Sequence, residues 1–291
     1  MATQKDFYHA DTERKLKAIQ SYLQRYLLVF KNQPSMETFY IDAFAGSGSM
    51  PAQPNEGLFK DQTDVDEFIR GSALRALRLE QKFSRYIFIE ESKSKLDELK
   101  GRLAVENFGK SKVDFIRGNA NEELLKLCPY LSKGSVRAVV FLDPFGNQVG
   151  WDLLKALGET KHVDLWYLFP AMLGVYRQIG NLNAKVTDEG GASLDRLFGP
   201  NDWRGAFIKR ETASDLFGIT ETQQKIADVE DITRFMIKCM NDIFEGRASN
   251  HWMPLGRNGA HWYSLIFAMA NPAKAATKIG HPMANHIMTH K

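Results

Sequence analysis

Apolar and polar positions alternate along this chain in two different rhythms. In "DTERKLKAIQSYLQRYLLVFKN" the residues Leu16, Ile19, Leu23, Leu27 and Phe30 recur at helical spacing, and Asp11 or Thr12 can cap the start. "TFYIDAFA" follows as a continuous apolar strand, and residues 49–70, rich in Pro, Gly and Asp, read as loop. Ser72 can cap a helix in "ALRALRLEQKF". Strands are then predicted in "RYIFIE", "KVDFIRGN", "RAVVFLDP" and "HVDLWYLFP", separated by helices in "SKSKLDELKGRLAVENF", "NEELLKLCPYL" and "GWDLLKALGET". Strand and helix alternate five times with unbroken apolar strands. That pattern predicts a doubly wound, Rossmann-like, mostly parallel sheet covered on both faces.

The rhythm breaks after Pro170. Residues 171–247 read as helix and loop, an insertion that includes "TRFMIKCMNDIF". "HWMPLGRNGAHWYSLIFAMAN" then reads as two antiparallel strands around a Gly-Arg-Asn-Gly turn. No linker or repeat divides the chain. The expectation is one domain: an N-terminal helix within 1–35, a βα core over 36–170, the helical insertion over 171–247, and closing strands with a tail over 248–291.

Composition narrows the partners only slightly. The 291 residues carry 38 Lys and Arg against 35 Asp and Glu, a net charge of +3, which allows nucleic acid as a partner without demanding it. Cys128 and Cys239 stand far apart in helix-like contexts, which argues against a disulfide framework and a CxxC metal site and suits a reducing cytoplasm. The polar start "MATQKDFYHADTERK" leads to the expectation of no signal peptide. No apolar run approaches a membrane span, so no membrane partner is expected. The seven histidines form no HExxH pattern and no ligand pair with cysteine, so no metal site is expected.

Candidate chemistry gathers at the strand ends. "FYIDAFAGSGSM" ends its strand in Asp42 and continues through Phe44 to Gly46 and Gly48. Glycines let backbone turn sharply and lie against a ligand. In a doubly wound sheet, ligands bind beyond the carboxyl ends of the strands, where strand order reverses. The pattern D-x-F-x-G-x-G is neither G-x-G-x-x-G nor a P-loop. Glu90 ends the second strand, where an acid can accept from both hydroxyls of a ribose; an acid there can equally favour a helix start, a role open to Glu91. Asn119 after the third strand can bond an adenine edge or cap the next helix, a role also open to Asn121. The fourth strand ends in "FLDPFG": Asp143 can accept from an exocyclic amine, Pro144 stiffens the turn, and Phe145 can stack on a planar base. The plain alternative is a proline-bounded βα turn. The basic run "WRGAFIKR" (203–210) reads as a phosphate contact or a solvated face.

These motifs resemble the class I S-adenosylmethionine-dependent methyltransferases, and Asp-Pro-Phe is similar to the (D/N)PP(Y/F) motif of amino-methyltransferases acting on nucleic-acid bases. A closer resemblance is to the three-Cys-motif partner protein (TcmP) family. It rests on "HADTERKLKAIQSYLQRYL", "FYIDAFAGSG", "GSALRAL", "FIEES", "FLDPFG" and "YSLIFAMANP", and so runs over most of the chain. The resemblance implies S-adenosylmethionine as cofactor. Asp42, Phe44, Gly46 and Gly48 would lie near its methionine end, Glu90 at the ribose and Asn119 at the adenine. Lys15 aligns with a lysine of the family pattern and would pair with the methionine carboxylate; on the residues alone it reads as a solvated helix face. The family pattern also closes the sheet with the last strand and "NPAKAATKIG", and implies association with a protein carrying a three-cysteine motif. Two departures stand out: Ser49 to Arg70 delays the first helix, and Phe145-Gly146 replaces the Pro-Tyr/Phe pair. Three classes follow: a methyltransferase acting on an amino group, with RNA and DNA bases among its candidate acceptors; one acting on a small molecule or protein; and a non-catalytic binding partner that keeps the fold. Asp42, the glycines, Glu90 and Asp143 argue against the last.

Overall fold

The computed structural model describes residues 4–47, 71–179, 186–215, 218–256 and 260–289. Five parallel strands carry the core: β1 (Glu37–Asp42), β2 (Arg85–Glu90), β3 (Lys112–Arg117), β4 (Val136–Leu142) and β5 (Val163–Phe169). Between them run α2 (Ser72–Leu77), α3 (Lys93–Leu103), α4 (Ala120–Leu131) and α5 (Trp151–Glu159). The closing strands β8 (Met253–Leu255) and β9 (Tyr263–Met269) extend the sheet, with β9 antiparallel to both β5 and β8. The spatial order is β3-β2-β1-β4-β5-β9-β8. This is a doubly wound, Rossmann-like, mostly parallel sheet with a C-terminal antiparallel hairpin. Strand order reverses between β1 and β4, whose ends lie in register, Asp42 beside Phe141.

Successive strand residues point to opposite faces, and both faces are apolar because both are covered. Phe39, Ile41, Val140, Leu142 and Leu165 pack on one side with α4 and α5. Tyr40, Phe88, Phe141, Trp166 and Phe267 pack on the other, with α1 (Gln4–Phe30), α2 and α3. Helix α1 begins upstream of the expected Asp11 or Thr12 cap. It buries Leu16, Ile19, Leu23 and Leu27 as its spacing predicts, and Phe30 packs against the same cluster. Its Tyr22 hydroxyl donates to Asp164 Oδ2 at 2.6 Å, at the start of β5. Lys15 lies two turns earlier, so α1 runs antiparallel to the strands and delivers Lys15 to their carboxyl ends.

The insertion differs from its expected helical form. It holds a π-helical turn (Ala171–Tyr176), α6 (Asp188–Phe198), α7 (Trp203–Phe207) and α8 (Val229–Ile243), and also a two-stranded hairpin, β6 (Ile208–Asp215) with β7 (Gly218–Lys225). "IKRETASD" and "GITETQQK" are mostly polar, so they carry no apolar run to betray a strand. The tail is also more than an appendage: α9 (Lys274–Thr289) buries Ala284, Ile287 and Met288 and packs along α1 instead of adding to the sheet. In the "WRGAFIKR" run, Trp203 and Phe207 are core residues, and Arg204 pairs with Asp195 and lies over the Trp203 ring at 4.3 Å. Among the described residues, no helix is long and apolar enough to cross a membrane. The loop expected over 49–70 and the centre of the Gly-Arg-Asn-Gly turn lie outside the described residues.

Candidate functional site

The carboxyl ends of β1 to β4 bring most of the candidate residues to one rim. A cleft of about 300 Å³ there is lined by Phe44, Glu90, Lys95, Asn119, Phe145 and Gln148, together with backbone near Gly118. Asp42, Lys15 and Asp143 sit beside this cleft without lining it. Gly48 lies outside the described residues.

Gly46 has φ +61, the left-handed region that costs an L-residue about 1–2 kcal/mol. Among the described residues, nothing occupies the space a Cβ would enter. What holds this turn is Glu90: Oε2 accepts from Gly46 N at 3.0 Å, and Oε1 accepts from Ser92 N at 2.8 Å. The acid at the end of β2 therefore ties the β1 loop to the start of α3, while each oxygen keeps a second lone pair for a hydroxyl. Ser92 itself caps α3, and Glu91 is exposed.

Asn119 is the N-cap of α4, its Oδ1 accepting from Asn121 N at 3.0 Å. Asn121, the other capping candidate, instead bridges to the fourth strand's loop. It donates to Gln148 O at 2.7 Å and accepts from Gly150 N at 2.8 Å. Ser72 does not cap α2 either: Gly71 is the N-cap, and the Ser72 hydroxyl donates to Asp42 Oδ2.

Asp42 is fully buried. Its Oδ2 also accepts from the Tyr40 hydroxyl at 3.4 Å, and its Oδ1 has no hydrogen-bond partner among the described residues. Burial pushes its pKa up to about 6; the Ser72 bond opposes this, the Asp143 charge adds to it, and the Phe44 N–H and the Lys15 charge oppose it. Lys15 is 9% exposed and far from a solvated helix face. Its Nζ donates to Asp143 Oδ2 at 2.5 Å and stands 5.9 Å from the Phe141 ring centroid. The rest of the α1 start is pinned as well. Glu13 pairs with Arg75 of α2, and Asp11 accepts from Gly256 N at 2.6 Å.

The Asp-Pro-Phe-Gly turn divides its labour. Pro144 is buried, Gly146 has φ +131, and Phe145 is 84% exposed. The Phe145 N–H donates to Gln148 Oε1 at 2.8 Å, and Lys95 Nζ lies 5.2 Å from the ring centroid. Lys95 stands over one face of the ring, and a ring held out this way offers its other face to a planar ligand. Lys95 and Gln148 escaped the sequence reading. Gln148 lies three residues past Phe145, and Lys95 lies five residues past Glu90, but neither has a local pattern that marks it. A second cleft of about 590 Å³ continues from Asn119, Asn121 and Gln148 towards Trp151 and Arg196.

No protein-family model matches the chain, and no curated protein matches it. Solved structures do. A Trm1 protein from Pyrococcus horikoshii, in complex with S-adenosyl-L-methionine, matches with a TM-score of 0.46 and 11% identity, over 93% of this chain and 58% of that one. An S-adenosylmethionine-dependent methyltransferase from Clostridium acetobutylicum matches with a TM-score of 0.34 and 9% identity, over 86% of this chain and 91% of that one. An O-methyltransferase from Bacillus cereus in complex with SAH matches with a TM-score of 0.33 and 13% identity, over 70% and 78%. Likenesses of this strength bear on neither the activity nor the ligand of this chain.

Proposed function

We propose that this chain is an S-adenosylmethionine-dependent methyltransferase acting on an amino nitrogen, with a nucleic-acid base as the acceptor. The observation that carries the reading is the Asp-Pro-Phe-Gly turn. It sets a half-exposed carboxylate and an almost fully exposed ring side by side at the strand end that adjoins the cleft.

The residues suit the cofactor. The cleft volume is at the low end of the range for small-molecule sites. Glu90 has acceptor capacity for ribose hydroxyls, and Phe44 lines the same wall. The Asn119 amide nitrogen and the Gln148 amide would face an adenine edge. Among the described residues the Gly46 turn leaves room for a ligand against backbone, whereas Lys15, expected at the methionine carboxylate, is engaged by Asp143. When bound, S-adenosylmethionine supplies an electrophilic methyl group. Asp143 accepts the N–H of the acceptor amine, turns the nitrogen lone pair out of conjugation, and passes the released proton to solvent. Phe145 stacks on the extruded base, and Lys95 favours the adjoining phosphate charge. The three-Cys-motif association implied by the sequence resemblance enters this proposal as a second protein to be added to the assay.

The test is transfer of a labelled methyl group to RNA, DNA or protein. Label is expected in nucleic acid from the unmodified chain. Asp143→Ala should lower single-turnover rate at least tenfold with cofactor affinity changed far less, because the contact is made chiefly in the transition state. A fully active Asp143→Ala chain refutes the assignment, and binding of cofactor without label in any acceptor favours the binding-partner reading.

A further inference from the structure

The reactive end of the site is already engaged by the protein itself. Lys15 Nζ sits on Asp143 Oδ2 at 2.5 Å, on the carboxylate that the proposed chemistry needs for an acceptor N–H. That ion pair is the Asp143 contact the structure shows, and Lys15 reaches it across 128 residues of sequence. A second anion waits alongside. Asp42 is fully buried, keeps Oδ1 without a partner among the described residues, and feels the charges of both Asp143 and Lys15. A buried carboxylate oxygen lacking a donor is costly, so a donor that swings to it is stabilised there. Lysine has the flexible four-carbon stem for such a movement, whereas the helix carrying it is pinned by Glu13–Arg75 and Asp11–Gly256.

We propose that Lys15 is an internal stand-in for the acceptor amine: it occupies Asp143 in the resting site and moves to Asp42 when an acceptor N–H takes its place. The proposal rests on the cofactor reading of the adjoining cleft. It makes Lys15 a specificity-determining residue. An acceptor must bring a hydrogen-bond donor strong enough to displace an ammonium, so a group that offers no N–H at that point leaves the lysine in place. It also explains why Lys15 is buried when a lysine on an N-terminal helix would ordinarily be solvated.

Two cofactor analogues separate this role from scaffolding. Sinefungin carries an amine where S-adenosylmethionine carries its methyl sulfonium, and S-adenosylhomocysteine carries neither. The ratio of their dissociation constants, measured by calorimetry on the whole chain, reads the availability of Asp143 and cancels any contact common to both. Lys15→Met should shift that ratio towards sinefungin by about tenfold or more, the effect of removing a competing charge-assisted hydrogen bond. Lys15→Gln, a gentler change for folding, should shift it the same way by less. Asp143→Asn in the Lys15→Met background should cancel the gain. Asp42→Asn should move the ratio in the opposite direction, since Lys15 loses its second seat. Equal changes in both affinities, with the ratio constant, overturn the proposal and leave the cofactor reading intact. Wild-type protein that binds neither molecule overturns both.

Discussion

Glu90→Ala separates two roles that fall on one side chain. In the structure the carboxylate is committed before any ligand arrives, to Gly46 N at 3.0 Å and Ser92 N at 2.8 Å. Hydrogen bonds to a charged group contribute about 1.5–3 kcal/mol each. Glu90 is half-buried, so water competes and the lower end applies, which puts the pair together at about 3 kcal/mol. Glu90→Ala should therefore lower unfolding free energy by about this amount without any ligand. Glu90→Gln should lose about half of it, because one oxygen still accepts while the amide NH2 faces an N–H it cannot satisfy. The Gly46 turn would also lose its tether, and a ribose its acceptor, so affinity for S-adenosylhomocysteine should fall tenfold or more, about 1.4 kcal/mol. Urea unfolding in the absence of ligand reads the first effect, and calorimetric titration reads the second. An unchanged urea midpoint at unchanged slope would refute the scaffolding argument. A destabilised protein with wild-type affinity would refute the ribose assignment.

Other perturbations give equally definite outcomes. Burial pushes the pKa of Asp164 up to about 7, against the opposing Tyr22 hydrogen bond and Arg137 charge, so the folded state holds this proton more tightly than the unfolded one. Its share of stability is present below the ordinary carboxylate range and lost as pH rises towards 7, about 4 kcal/mol at roughly 1.4 per unit; Asp164→Asn should flatten that fall between about pH 4 and pH 7 in urea unfolding, and an unaltered profile would disprove it. Gly46→Val should destabilise by about 1–2 kcal/mol through its φ of +61, and Gly46→Asn by clearly less, because the cost is backbone strain and a Cβ meets no neighbour among the described residues. Phe145→Ala should leave thermal stability near wild type, since the ring is exposed, while weakening nucleic-acid binding by about 1–3 kcal/mol in a filter or fluorescence titration.

Strand positions were legible because a buried parallel strand writes itself as an unbroken apolar run. "RYIFIE" and "VDLWYLF" coincide with β2 and β5, and the acid that ends β2, Glu90, marks where burial stops. The same logic located Glu90 and Asp143 at the rim, since each follows directly from where its strand ends. The polar hairpin β6–β7 was invisible for the converse reason. Its two strand sequences carry no apolar run and no apolar alternation, so they leave no periodic trace.

Roles that depend on a distant partner could only be decided by the fold. Asn119 and Asn121 are equivalent capping candidates locally, and the approach of the Gln148 loop assigns Asn121 elsewhere. Ser72 looks like a helix cap until Asp42, 30 residues away, draws its hydroxyl inward. Lys15 looks like a surface lysine until α1 is laid antiparallel on the sheet, with Tyr22 on Asp164 at one end and Lys15 on Asp143 at the other. Local pattern determines which residues lie on which element and face. Ion pairs and buried carboxylates depend on which elements meet, and that is set by the packing of the whole core.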